Sequence, residues 1–164
     1  MIEAPNNDDI ETNQTYNFIL KQKINKNILD IGIGGGVALN FLNLEKNSYV
    51  GIDINNKNIN ELKLKNKNIN ISYYYQDFTK ELDIKFQNKF DICIASHVIE
   101  HIKTDKVEKF IMNLIESIKK NSQSEIWVVT PNKNVINKYN KNPTNPFHEY
   151  EYQLNKLKKI FNKI

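Results

Sequence analysis

Arginine is absent from this 164-residue chain, and all 23 basic residues are lysines. The bidentate fork that a guanidinium offers to phosphates and guanine edges is therefore missing, so the formal charge of +4 is weak support for a nucleic-acid partner. Cysteine occurs once, at Cys93 between Ile92 and Ile94, which excludes an internal disulfide and a thiolate metal cluster and predicts a buried thiol. Apolar runs are short, far from the ~20 residues that a membrane span needs. Glu3, Asp8, Asp9 and Glu11 crowd the start of the chain, which fits no signal peptide, and a cytoplasmic protein is expected. Glycine (5) and proline (4) are scarce as well. Asn (27), Ile (24) and Lys (23) fill the space they leave, a bias that AT-rich coding explains better than a selected surface.

The length suits one domain with a substantial core. Residues 1–11 are polar and lack periodicity, so a flexible N-terminal arm is expected there, followed by a single domain over 12–164. From Thr12 to Ile24 the positions Tyr16, Ile19, Leu20 and Ile24 fall at helical spacing. The tight run Ile28 to Ile31 reads as a buried strand, and a glycine turn at residues 32–36 leads into a helix expected over Val37 to Leu44. Further strands are expected at Tyr49 to Ile54, Ile69 to Tyr75, Phe90 to Ala95 and Ile126 to Val129, the last stopped by Pro131. Helices belong at Asn55 to Lys67 and Asp105 to Lys120, the second with Thr104 as its cap. A final apolar stripe runs through Leu154, Leu157, Ile160, Phe161 and Ile164. Continuous apolar strands alternating with helices define an α/β, doubly wound, mostly parallel sheet.

Ligands of such sheets bind beyond the carboxyl ends of the strands. There the chain places Asp30 and the glycines Gly32, Gly34 and Gly36, then Asp53 with Ile54, then Asp77 with Phe78, then Ser96, His97, Glu100 and His101. Missing side chains let backbone approach a ligand closely. Asp53 is placed to accept from ribose hydroxyls, and Asp77 from an adenine amino group while the Phe78 ring packs on the base. A dinucleotide fingerprint needs a third glycine where Val37 stands.

The pattern apolar-apolar-Asp-x-Gly-x-Gly-x-Gly at residues 28–36 resembles instead the first motif of the class I S-adenosylmethionine-dependent methyltransferases. The run Phe90 to His101 is similar to that family's fourth motif in the subgroup where the strand enters a short helix ending Glu-His, and Thr130-Pro131-Asn132 resembles the segment after strand five of the same subgroup. The resemblance implies a Rossmann-like methyltransferase fold with S-adenosyl-L-methionine as cofactor. Gly32, Gly34 and Gly36 would lie against its methionine part, Asp53 on the ribose, and Asp77 with Phe78 on the adenine. The family's last two strands have no counterpart in the chain, so the edge of strand five is expected to stand open or to be covered by a dimer or a partner subunit.

The resemblance implies transfer of a methyl group to an acceptor whose proton must leave. His97, His101 and His148, all the histidines of the chain, can act as bases near neutral pH, and Glu100 is a catalytic candidate beside them, unless it and His101 only orient the loop or cap a helix. A small-molecule acceptor, a saccharide among the options, is expected, with specificity from Tyr139, Tyr150 and the loop Asn140 to Phe147. Two alternatives remain. Small-RNA 3′-terminal 2′-O-methyltransferases resemble the subgroup and hold a divalent metal with a Glu-x-x-Glu-His run and a distant His. Here His97 stands where the first Glu belongs, so no metal is expected. The other is a catalytically inactive, cofactor-binding partner subunit.

Overall fold

The computed structural model describes residues 7–136, 142–143 and 145–164. The chain divides into two compact units, Met1–Gln76 and Asp77–Ile164.

The first unit begins with helix α1 (Asn7–Leu20), which starts inside the expected flexible arm. Tyr16, Ile19 and Leu20 are buried along its inner face, while Ile24, beyond its end, is exposed. Strands β1 (Asn27–Ile31), β2 (Ser48–Asp53) and β3 (Ile71–Tyr75) pair in parallel, with β2 in the middle. β1 is buried from Ile28 to Ile31, its apolar residues and Asp30 alike. Helix α2 (Asn56–Lys65) connects β2 to β3, capped by the Asn55 side chain accepting from Lys57 N–H.

No α-helix forms over Val37 to Leu44: only a 3₁₀ turn at Val37–Asn40 is present. Asparagine chemistry accounts for the stop. Asn43 Oδ1 accepts from Glu45 N–H at 3.1 Å, and Asn47 Nδ2 donates to the carbonyls of Asn43 and Lys23, so side chains take over the bonds that a continuing helix would make.

In the second unit β4 (Ile92–Ser96) pairs in parallel with β5 (Glu125–Val129). β4 is buried throughout, and Cys93, its second residue, is a buried free thiol, as expected. Helix α3 (Val107–Ser117) buries Val107, Phe110, Ile111 and Leu114, but Ile115 is 38% exposed. Its first residue follows Lys106, and Thr104 does not cap it. A one-turn helix α4 (Lys133–Ile136) and helix α5 (Leu154–Phe161) complete the unit. All five residues of β5 are only half-buried, and an apolar groove of about 240 Å³ runs along Ile126, Val128, Leu154, Leu157 and Phe161. No helix among the described residues is long and apolar enough to cross a membrane.

Candidate active site

In the first unit the chain leaves β1 through three glycines with positive φ: Gly32 (72°), Gly34 (50°) and Gly36 (81°). An L side chain is strained in this region, which fixes glycine there. At Gly36 an added Cβ would also lie 2.8 Å from Leu62 Cδ2. Around Gly34 and Gly35, by contrast, an added Cβ would meet nothing within 4 Å. The top of the turn faces open space.

Asp53, at the end of β2, ties directly to this turn. Its Oδ2 accepts from Gly34 N–H at 2.9 Å and from Asn58 Nδ2 at 3.3 Å, while Oδ1 accepts from Asn55 N–H at 2.7 Å. A carboxylate has about four lone-pair sites, so one on Oδ1 is left for a ligand hydroxyl. Ile54, next along, is 66% exposed.

Asp30 has a different place from the one expected. It is fully buried, and its two oxygens accept from the Tyr16 hydroxyl at 3.0 Å and the Tyr49 hydroxyl at 2.7 Å. Burial pushes its carboxyl up to about 7, against the opposing pull of the two tyrosine bonds. The same burial, with Asp30 beside them, drives both tyrosine hydroxyls up. Asp30 is thus an internal anchor linking α1, β1 and β2, with no side-chain surface for a cofactor.

In the second unit Asp77 caps its own loop, Oδ1 accepting from Thr79 N–H at 2.9 Å and Thr79 Oγ1 at 2.7 Å. Burial pushes this carboxyl up, but the Thr79 bonds outweigh it and hold it below the usual range. The Phe78 ring is 3% exposed and packs edge-on against Phe110 at 6.2 Å. The expected stacking of Phe78 on a base is therefore corrected: the ring belongs to the core, where burial stabilises it more than one exposed face would. Asn113 holds this loop, donating to the carbonyls of Phe78 and Lys80. Ser96, closing β4, is 7% exposed, and its Oγ has no partner among the described residues.

The three histidines and Glu100 do converge. His97 takes φ +55°, a left-handed conformation uncommon outside glycine, with its N–H bonded to the Val129 carbonyl at 2.9 Å. Its Nδ1 lies 3.4 Å from Glu100 Oε1. Glu100 is fully buried, and Oε2 accepts from Thr130 Oγ1 at 3.0 Å. Burial pushes its carboxyl up, yet the contacts with His97, backbone N–H and Thr130 prevail and keep it below its ordinary range, hence ionised at neutral pH. The carbonyl of Glu100 accepts from both Glu149 N–H (2.8 Å) and Tyr150 N–H (3.1 Å), and His101 Nδ1 bonds the Phe147 carbonyl at 2.8 Å. These bonds bring the 147–151 segment onto the 99–101 turn. The rings of His101 and His148 meet edge-on, 5.1 Å apart, and donor atoms of Glu100, His101 and His148 lie within 4.8 Å of one another.

Thr130 and Glu151 complete this group and carried no role in the sequence reading. Glu151 is 1% exposed, and its Oε1 lies 3.5 Å from His148 Nδ1. A signal was present: His97-x-x-Glu100 and His148-x-x-Glu151 repeat one spacing. Tyr150 sits beside the site, with the Lys156 ammonium 4.2 Å from its ring centroid, whereas Tyr139 and Asn140 lie outside the described residues.

A family described as a methyltransferase domain matches residues 28–121, more than half of the chain, and the chain belongs to that family. The ubiquinone biosynthesis O-methyltransferase of Rickettsia canadensis is 33% identical over 106 residues, 65% of this chain and 42% of that protein. The chain thus spans less than half the length of this curated relative. Among solved structures, the small RNA methyltransferase HEN1 superposes with a TM-score of 0.73 at 20% identity, over 99% of this chain and 22% of that one. Magnesium protoporphyrin IX methyltransferase from Synechocystis PCC 6803, with SAH bound, gives 0.73 at 17% identity, over 99% and 78%. The fold is the α/β, Rossmann-like methyltransferase fold, and the family's cofactor is S-adenosylmethionine.

Proposed function

We propose that the chain transfers a methyl group from S-adenosylmethionine to a hydroxyl oxygen of a small molecule. The observation that carries this reading is the convergence of Glu100, His101 and His148 at the 99–101 turn that follows β4. The likeness to an O-methyltransferase named for ubiquinone biosynthesis supports a hydroxyl acceptor. The open glycine turn and the remaining acceptor site on Asp53 fit an adenosyl cofactor, as does the orphaned Ser96 hydroxyl. In this reading Gly32, Gly34 and Gly36 let the protein backbone approach the methionine part of the cofactor, Asp53 takes a ribose hydroxyl, and Asp77 serves the adenine amino group. When bound, S-adenosylmethionine supplies an electrophilic sulfonium methyl carbon. An imidazole of His101 or His148 would accept the acceptor's hydroxyl proton as its oxygen bonds to that carbon and the carbon–sulfur bond breaks, leaving S-adenosylhomocysteine, and would later release the proton to water. Glu100, ionised, stabilises the imidazolium so formed.

Calorimetric titration with S-adenosylmethionine, S-adenosylhomocysteine and NAD tests the cofactor half. The sulfonium cofactor and its product are expected to bind and NAD not to; Asp53→Ala should lose about 1–3 kcal/mol, the scale of charge-assisted hydrogen bonds. Preference for NAD would overturn the assignment. Labelled methyl transfer by the purified chain to a dihydroxybenzoate probe, alongside an RNA oligonucleotide, tests the acceptor. Cofactor binding without transfer to either would instead favour a passive subunit.

A second reading is favoured by the same three donors. Glu100, His101 and His148 form a set suited to a divalent ion such as Mn²⁺ or Zn²⁺, and the Phe147 carbonyl behind His101 is the usual outer partner of a ligating imidazole. A metal held there would act as a Lewis acid on the acceptor hydroxyl. Titration with Mn²⁺ is expected to show one site, lost in His148→Ala, and methyl transfer should stop with a chelator. Chelator-resistant transfer with no Mn²⁺ binding would leave the histidines as bases alone.

A further inference from the structure

We propose that Glu151 is a positioning residue for His148, holding its Nδ1–H so that Nε2 is the nitrogen left with a lone pair. The inference deepens the reading above and rests on it for what that nitrogen then does.

The argument starts from burial. Glu151 and Glu100 are 1% and 0% exposed and, with Asp30 and Asp53, are the buried carboxylates among the described residues. A buried carboxylate is costly unless paired. Glu100 meets this demand with His97 Nδ1 at 3.4 Å, three residues before it, and with Thr130. Glu151 Oε1 lies 3.5 Å from His148 Nδ1, again three residues before it, an ion-pair separation; that buried nitrogen makes no hydrogen bond to any other described residue, so the carboxylate is the acceptor it faces. The two arrangements share spacing, burial and the ring atom addressed.

Backbone geometry makes the second pair rigid. Glu149 and Tyr150 both donate to the Glu100 carbonyl, the His148 N–H bonds the Asn145 carbonyl at 3.1 Å, and the Tyr152 carbonyl accepts from Lys133 N–H at 3.0 Å. His148 and Glu151 are therefore fixed on either side of a clamp. Chemistry then decides the tautomer. A carboxylate only accepts, so an imidazole nitrogen facing it must carry hydrogen. His101 reaches the same state by another route, its Nδ1 donating to the Phe147 carbonyl at 2.8 Å. The two edge-on rings would then share one tautomer, each keeping Nε2 to take a proton or to bind a cation.

Because the chain has only three histidines, long-range ¹H–¹⁵N spectra resolve every ring. At about pH 8, above the imidazole range, His148 is expected to show a protonated Nδ1 and a bare Nε2. In Glu151→Ala it should move to the Nε2–H form or to an averaged mixture, while Glu151→Gln, whose amide oxygen still accepts, should retain Nδ1–H. His101 should be unchanged in both. An Nε2–H signal for His148 in the unaltered protein overturns the proposal, even if a variant fails to fold. So does a His148 pattern that is the same in Glu151→Ala. For methyl transfer to the dihydroxybenzoate probe, kcat should fall at least tenfold in Glu151→Ala, with the KM for S-adenosylmethionine unchanged, and recover in Glu151→Gln, the scale typical of outer partners of an active imidazole. Unaltered kcat despite a changed tautomer overturns the functional half of the proposal. If the unaltered protein transfers no methyl group at all, the activity reading fails while the ring spectra still decide the role of Glu151.

Discussion

Asp30→Asn is expected to flatten the dependence of stability on pH between about 4 and 7, the largest effect on folding that the structure points to. Asp30 is fully buried, and its carboxyl ordinarily titrates near 3.8 but is pushed up to about 7 in the folded chain, by burial first and by the charge of Asp53 last. Between those two values the folded chain holds a proton that the unfolded chain has released. Stability from this group is therefore complete below about pH 4 and is lost as pH rises through about 7. At 1.36 kcal/mol per tenfold change, the interval has a ceiling of about 4 kcal/mol. Asp77 and Glu100, both held below their ordinary range, act in the opposite direction, gaining above the carboxylate range and losing as pH falls. The difference between Asp30→Asn and the unaltered chain isolates the one group. Denaturant midpoints measured from pH 4 to pH 8 should converge at low pH and separate in favour of Asp30→Asn as pH rises. Parallel curves would show that Asp30 does not titrate in this interval. Asp30→Ala should be destabilising throughout, by about 2–5 kcal/mol, since it leaves a cavity and strands the Tyr16 and Tyr49 hydroxyls.

The largest expected effect on activity falls at Glu100. Glu100→Gln keeps the shape of the side chain and an oxygen for Thr130, but removes the charge that faces His97. Methyl transfer is expected to drop by about 10²–10⁴-fold, the usual contribution of a positioned acid–base group. Affinity for S-adenosylmethionine, measured by calorimetry, should change less than about twofold, since no cofactor role is assigned to this carboxylate. Equal losses in cofactor affinity and turnover would show instead that Glu100 shapes the fold around it. Glu100→Leu provides the contrast: it strands the Thr130 hydroxyl and should lower the melting temperature as well.

How much of this was legible beforehand depends on the distance over which each interaction acts. The strands were readable because apolar runs such as Ile92–Ala95, and Ile28–Ile31 with its single Asp30, have few alternatives once flanked by polar turns. The glycine turn and Asp53 were legible too, as features that close a strand. Asp30 was misplaced because its partners, Tyr16 and Tyr49, lie 14 and 19 residues away and no local pattern joins them. Phe78 was misplaced because an aromatic residue after a strand can turn outward or inward, and Phe110 decides which. The helix expected over Val37 to Leu44 failed because its apolar spacing competes with asparagine side chains at 43 and 47. Glu151 reaches the site through the clamp on the Glu100 carbonyl, a contact some 50 residues distant in sequence.

The glycine turn has one more implication. Five glycines in 164 residues are expected to stand where replacement is hardest to tolerate. Gly32, Gly34 and Gly36 meet that condition through backbone angle, and Gly51 through the Ile33 methyl that would lie 2.8 Å from an added Cβ. Gly35 meets neither: its angle is ordinary, and a methyl there would touch no atom of the protein. If folding alone governed the position, alanine would serve as well. On the cofactor reading proposed above, Gly35→Ala should therefore weaken S-adenosylmethionine binding while leaving the melting temperature unchanged.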